Sequence, residues 1–211
     1  MHRKPVPNPA FIVDAASLSG PVDFSLLFGR TAPVHIEIGS GKGAFLVHQA
    51  AAFPQHDFLG IEWAAEYYRL TADRLARRGL SNARMIRTDA VDFIRRFVPD
   101  NSVEMFHLYF PDPWPKRRHH KRRFFCEANL RRMLRCLRAG GLINFATDHE
   151  DYFQQSIRLA QQAVDEGLAE PADFFRPAGA GEGEITGTNY ERKYRKEGRP
   201  IYTLALRKSD K

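Results

Sequence analysis

Short β-branched and aromatic runs alternate with stretches of helical spacing along most of this chain. Residues 34–38, 58–62, 83–88, 103–110, 142–146 and 201–207 are runs of strand length and composition. Between them, residues 43–52 read as a helix, and Ala64, Tyr68, Ala72 and Leu75 share one face of the next. Phe93, Ile94 and Phe97 mark a short helix. Leu130, Met133, Leu134 and Leu137 mark a longer one, expected to run until Gly140-Gly141 stops it. Asp148 is placed to cap a helix bearing Phe153, Ile157, Ala160 and Val164. A glycine-rich loop at 179–187 leads into TNYERKYRKEG, expected to be helical. Residues 1–30 are rich in Pro, Ser and Gly and read as an irregular lead-in, leaving 31–211 as one domain. Five strand–helix repeats predict an α/β fold with a doubly wound, mainly parallel sheet. In such sheets ligands bind beyond the carboxyl ends of the strands.

Composition narrows the partner. Apolar residues make up 43% of 211 residues, enough for a core, and the formal net charge is +7. Six of the 32 Lys and Arg residues fall at 116–123, a run with no acid. The remaining 26 face 25 acidic side chains, so the excess is one local patch. A focused basic patch suits a polyanion. Cys126 and Cys136 fall in one predicted helix, about 15 Å apart and beyond disulfide reach. They form no zinc set, and no metal is expected. No signal-peptide core and no transmembrane-length apolar run is present, so a cytoplasmic protein without a membrane role is expected.

HIEIGSGKGAFL follows the first strand. It lacks the glycine spacing and the Ser or Thr of a P-loop, and Gly39, Gly41 and Gly43 do not match a dinucleotide fingerprint. A nicotinamide oxidoreductase is thereby disfavoured. The pattern E-x-G-x-G-x-G resembles the cofactor loop of S-adenosylmethionine-dependent methyltransferases. Glycines let the backbone approach a sulfonium and its ribose closely. Glu37 brings a carboxylate near a cation. Glu62 and Asp89 end the next two strands, positioned for ribose hydroxyls and an adenine amino group. Each acid alone equally suits a helix cap; three at successive strand ends beside this loop point to a ligand.

PDPWP follows the fourth strand. Pro111 and Pro113 fix the backbone on either side of Asp112. The turn is related to the Asp/Asn-Pro-Pro-aromatic turn that binds an exocyclic amine, so an amine methyltransferase is a rival reading. Trp114 is either a stacking face or core filler.

The motifs HIEIGSGKGAFL, FLGIEW, HLYFPDPWPKRRHHKRRF, NFATDHEDYF and TNYERKYRKEGRPIYTL together resemble the tRNA (guanine-N7-)-methyltransferases over most of 25–206. The resemblance implies a Rossmann-like class I S-adenosylmethionine-dependent fold and methylation of N7 of guanine 46 in the tRNA variable loop. It implies donor contacts at Glu37, Gly39, Gly41, Gly43, Glu62, Asp89 and Asp112, with Asp112 also catalytic. It places Lys116, Asp148, Thr188, Asn189, Tyr190 and Glu191 against the substrate nucleotide. Arg118, His119, His120, Lys121, Arg122 and Arg123 would engage RNA. T-x-x-E at 188–191 is also a capping box. A monomer or homodimer with no obligate partner subunit is expected. The non-catalytic rival is an RNA-binding subunit that keeps the fold without the reaction.

Overall fold

The computed structural model describes residues 8–210; residues 1–7 of the lead-in and Lys211 lie outside the described residues. The strands are β1 (Ile12–Val13), β2 (Val34–Ile38), β3 (Asp57–Ile61), β4 (Ala83–Ile86), β5 (Val103–Tyr109), β6 (Leu137–Thr147), β7 (Ala169–Pro171) and β8 (Tyr202–Lys208). They form one sheet in the order β1-β4-β3-β2-β5-β6-β8-β7. Pairing is parallel from β1 through β6 and antiparallel on either side of β8. The helices are α1 (Phe24–Phe28), α2 (Ala44–Ala52), α3 (Ala65–Arg77), α4 (Ala90–Arg96), α5 (Glu127–Cys136), α6 (Glu150–Asp165) and α7 (Asn189–Lys196). From central β2 the chain builds outward to β3 and β4, then returns to β5 on the other side. The order therefore reverses between β2 and β5, which opens a crevice at their carboxyl ends. Every residue of β2 and β3 is buried, as strands covered by helices on both faces must be.

Three local expectations are corrected. The lead-in is not wholly irregular: β1 pairs with β4, and α1 is capped by Asp23, which accepts from the N–H of Ser25 and Leu26. The helix expected to reach Gly140 ends at Cys136, with Cys126 at its N-cap rather than inside it, and Leu137 already begins β6. Gly140 adopts φ +70°, and a Cβ at Gly141 would sit 2.9 Å from the Glu104 carbonyl oxygen. The glycine pair therefore serves an irregularity in the β5–β6 register instead of a helix terminus. The α6 cap is His149, whose Nδ1 accepts from the Tyr152 N–H; Asp148 pairs with Arg199 at 2.8 Å.

Candidate functional site

The glycine loop turns from β2 into α2 and is shaped by what surrounds it. Gly39, Gly41 and Gly43 all have left-handed φ, and a Cβ at Gly43 would collide with Thr71 at 2.3 Å. Glu62 ties the loop down: its carboxylate accepts from the Gly41 N–H at 2.8 Å and the Ala64 N–H at 2.7 Å. Glu37 is buried, and its Oε2 has no hydrogen-bond partner; Ser40 Oγ beside it is also unpartnered. Both residues line a recess of about 300 Å³ together with Tyr67, Tyr109, Thr188 and Tyr190. Burial outweighs the favourable Ser40 hydroxyl beside it and, with the negative Glu62 nearby, pushes the Glu37 carboxyl up to about 8. A buried carboxylate with no partner is a costly arrangement that a cationic ligand would relieve.

The recess opens into a larger cleft of about 570 Å³ at the carboxyl ends of β2, β3 and β5. Gly39, Gly41, Glu62, Asp89, Asp112 and Asp148 all line it. Asp89 caps α4 through the Asp92 N–H at 2.9 Å and also forms part of the cleft wall. Asp112 is exposed on the opposite wall. Its turn is framed by two non-glycine residues with left-handed φ, Phe110 at 52° and Trp114 at 45°. Such backbone persists only where the surroundings fix it. Arg123 supplies that fixing: it donates to the Pro113 carbonyl at 2.8 Å, to Gln155 at 2.7 Å and to Asp151 at 2.6 Å.

The basic run is thus divided. Arg123, expected on RNA, is 2% exposed and staples the turn to α6, so it is not free for phosphates. His120 lies 3.1 Å from the same guanidinium, and Arg122 covers the Trp114 ring at 5.0 Å. Trp114 is accordingly partly covered rather than core filler. Residues Lys116, Arg117, Arg118 and Lys121 are exposed, and Lys116 is not among the cleft-lining residues.

The 188–191 segment is divided as well. Thr188, Asn189 and Tyr190 line the recess. Glu191 is 0% exposed and its carboxylate is used internally, accepting from the N–H groups of Ile185, Thr186 and Gly187, from Thr186 Oγ1 and from Arg195. Thr188 Oγ1 accepts in return from the Glu191 N–H at 3.1 Å. The capping reading of T-x-x-E describes this pair, and no free carboxylate at 191 faces a substrate.

Behind the recess runs a chain of histidines that sequence spacing did not reveal. His35 Nε2 pairs with His56 Nδ1 at 3.0 Å, His35 Nδ1 with His107 Nε2 at 3.0 Å, and His107 Nδ1 with the Tyr109 hydroxyl at 2.9 Å. Burial, then the neighbouring His56 and Arg138 charges, lower the His35 imidazole to about 3; burial and His35 lower His107 well below its usual value. A depressed histidine adds stability that is lost as pH falls below its unfolded value near 6.5. Glu37 acts oppositely: its raised value makes stability fall as pH rises between about 4.5 and 8. The Glu37→Gln protein, freed of that opposing effect, should lose stability steadily as pH falls from about 6.5 to 5, because the unfolded chain takes up protons that the buried histidines do not. Urea unfolding across that window measures it, and a flat profile would show the histidines are not held neutral.

Trp63, Tyr67, Tyr109 and Tyr194 also line the site but were not singled out in the sequence. Trp63 follows Glu62 directly and is 69% exposed, a large apolar surface left open at a cleft mouth. Among the described residues no group of three or more His, Cys, Asp or Glu is placed to share a metal ion, and no helix is long and apolar enough to cross a membrane.

Comparison with known proteins follows the same lines. Residues 31–204 match a family model described as "Putative methyltransferase". The chain is 36% identical over 212 residues to a tRNA (guanine-N(7)-)-methyltransferase of Rhodopirellula baltica, covering 96% of this chain and 78% of that one. It is 34% identical to the enzyme of that name from Alkalilimnicola ehrlichii, over 96% of this chain and 84% of the other. Among solved structures, the 16S rRNA methyltransferase KamB superposes with a TM-score of 0.60 at 16% identity, over 88% of this chain and 91% of that chain. A 30S ribosomal A1408 methyltransferase from an uncultured bacterium gives 0.59 at 13% identity, over 89% and 94%. At such identities the structural likeness concerns the fold.

Proposed function

The chain belongs to the tRNA (guanine-N7-)-methyltransferase family, and on that premise we propose that it transfers the methyl group of S-adenosyl-L-methionine to N7 of guanine 46 in the tRNA variable loop. The observation that carries the reading is the unpartnered Glu37 carboxyl beside a left-handed glycine loop, continuous with a cleft whose far wall holds Asp112. When bound, the donor supplies a methyl group on a sulfonium sulfur, and transfer forms the N7–carbon bond as the carbon–sulfur bond breaks.

The residues present fit that donor. Glu37 would meet its cationic part, Glu62 and Asp89 would accept from its ribose and adenine, and the glycines keep side chains out of the way. Guanine N7 carries an in-plane lone pair, so no base is needed to remove a proton. The protein's task is alignment at close range. Asp112 stabilises the positive charge that grows on the base, more strongly in the transition state than before it. Asp148 and the Thr188–Tyr190 segment hold the nucleotide, and Lys116, Arg117, Arg118 and Lys121 hold phosphates. The chain acts in the cytoplasm, as monomer or homodimer.

Because Glu37 titrates near 8, binding the cationic donor should expel a proton. Donor affinity should rise by up to about tenfold per pH unit toward pH 8 and then level off. Calorimetry in two buffers of different ionisation enthalpy reads the proton directly; identical heats would remove Glu37 from the donor site.

The decisive experiment is methyl transfer from labelled S-adenosylmethionine to unmodified tRNA, with nucleoside analysis. Label in 7-methylguanosine, absent when guanine 46 is replaced, is expected. Label in a methylated amine would move the turn to exocyclic chemistry, no label with donor still bound would point to a different nucleic-acid substrate or a missing partner, and failure to bind the donor would favour the non-catalytic rival.

A further inference from the structure

Two groups of arginines outside the basic run differ in how many of their guanidiniums are matched by an acid. Along α4 and α5 a groove of about 490 Å³ is lined by Arg95, Arg131, Arg132 and Arg135, each paired with an acid of the same protein. Between α2, α3 and α7 a second pocket of about 420 Å³ is lined by Arg74, Arg77, Arg78, Arg192 and His48 with no acid in its wall. Arg77 and Arg192 have carboxylate partners, Asp73 and Glu184. Among the described residues neither Arg74 nor Arg78 forms an ion pair; Arg74 instead donates to the Lys42 carbonyl at 2.6 Å. The pocket is a shaped one. Gly179 lies so close over His48 that a Cβ there would meet the ring at 2.4 Å. Burial, then Arg192 and Arg78 against an opposing Glu184, hold the His48 imidazole below its usual value.

This pocket is continuous with the methyl-donor recess. Ala44 and Asn189 line both. It lies on the α3 and α7 side of the site, whereas the basic run continues from the Asp112 turn. We infer that the Arg74–Arg77–Arg78–Arg192 pocket is a second phosphodiester-binding surface for the same RNA, gripping backbone on the side of the target guanine opposite the 116–121 run. The inference rests on the tRNA reading above. It also answers a shortfall in that reading, because Arg123 is unable to reach phosphate and Arg122 is stacked on Trp114. A nucleotide drawn out of a folded RNA needs its flanking backbone held on both sides; among the described residues Arg78 has no ion-pair partner, and Arg74, Arg77 and Arg192 keep further N–H donors beyond the internal contacts they make.

The test is the salt dependence of binding to unmodified tRNA, measured by fluorescence anisotropy. Wild type is compared with Arg77→Ser/Arg78→Ser, with Arg117→Ser/Arg118→Ser/Lys121→Ser, and with the two sets combined. Arg74 is left in place because it holds the glycine loop. The first variant should lower the log–log slope by roughly 0.7–0.9 for each phosphate no longer neutralised, and the two sets should add. Its affinity for S-adenosylmethionine should be unchanged. An unchanged slope overturns the inference, and so does a matching loss of donor affinity, which would assign the pocket to the donor. Arg78→Lys, which keeps the charge, should restore most of the slope if the double variant is well folded. Steep tRNA binding by a wild type that labels some other nucleoside would sink the N7 reading while leaving this surface standing.

Discussion

Asp112→Ala should lower kcat for methyl transfer by about two to three orders of magnitude, the usual cost of removing one group that stabilises transition-state charge. Thermal stability should stay near wild type, because Asp112 is exposed and the turn is held by Arg123 instead, while donor affinity should fall only by the loss of the one contact expected of Asp112. Asp112→Asn separates two roles. An amide keeps the hydrogen-bonding shape and loses the charge. If charge stabilisation dominates, the Asn protein should be nearly as slow as the Ala protein; if orientation of the base dominates, it should recover most of the rate. Single-turnover rates with saturating tRNA decide between them. An Ala variant within about threefold of wild type would remove Asp112 from the chemistry.

Glu191→Ala should be strongly destabilising, at about 1–3 kcal/mol for each buried donor it leaves unsatisfied. Burial alone would raise this carboxyl. The N–H groups of Ile185 and Thr186 together with Arg195 outweigh it and hold it below the usual carboxylate range. Removing it strands the N–H groups of Ile185, Thr186 and Gly187 around a void and returns the partly exposed Arg195 to solvent. The loss should be concentrated in the 185–190 segment, and because Thr188 and Tyr190 line the recess, donor affinity should fall with it. Glu191→Gln should recover only part, since one amide edge donates where the backbone also donates. Denaturant unfolding and hydrogen exchange of 185–191 measure both effects. If stability were unchanged but tRNA affinity dropped, the carboxylate would touch the substrate after all.

What could be read from the sequence depended on whether a residue's role was local. The alternation of strands and helices and the glycine loop are short-range patterns, and they appear within a few residues of their expected places. Gly140-Gly141 misled because a glycine pair stops a helix and bends a strand equally well, and only the β5 neighbour selects between them. Arg123 looked like its neighbours in the run. Its distinction comes from Asp151 and Gln155, about thirty positions away on α6. The histidine chain was invisible for a similar reason: His35, His56 and His107 meet only once β2, β3 and β5 lie side by side. Trp63 and the site tyrosines carry no spacing signal, so the cleft's aromatic lining emerges only with the fold.

The sheet itself sets a rule for how copies of this protein can meet. Its outermost strands are only two and three residues long, and β7 ends in Pro171, which offers no N–H. Among the described residues these outermost strands offer another chain few open backbone groups to extend. Joining two sheets edge to edge through them is therefore disfavoured. A homodimer is better served by helix faces or loops, and a crowded solution of folded molecules has little template in these strands from which to begin fibrous growth.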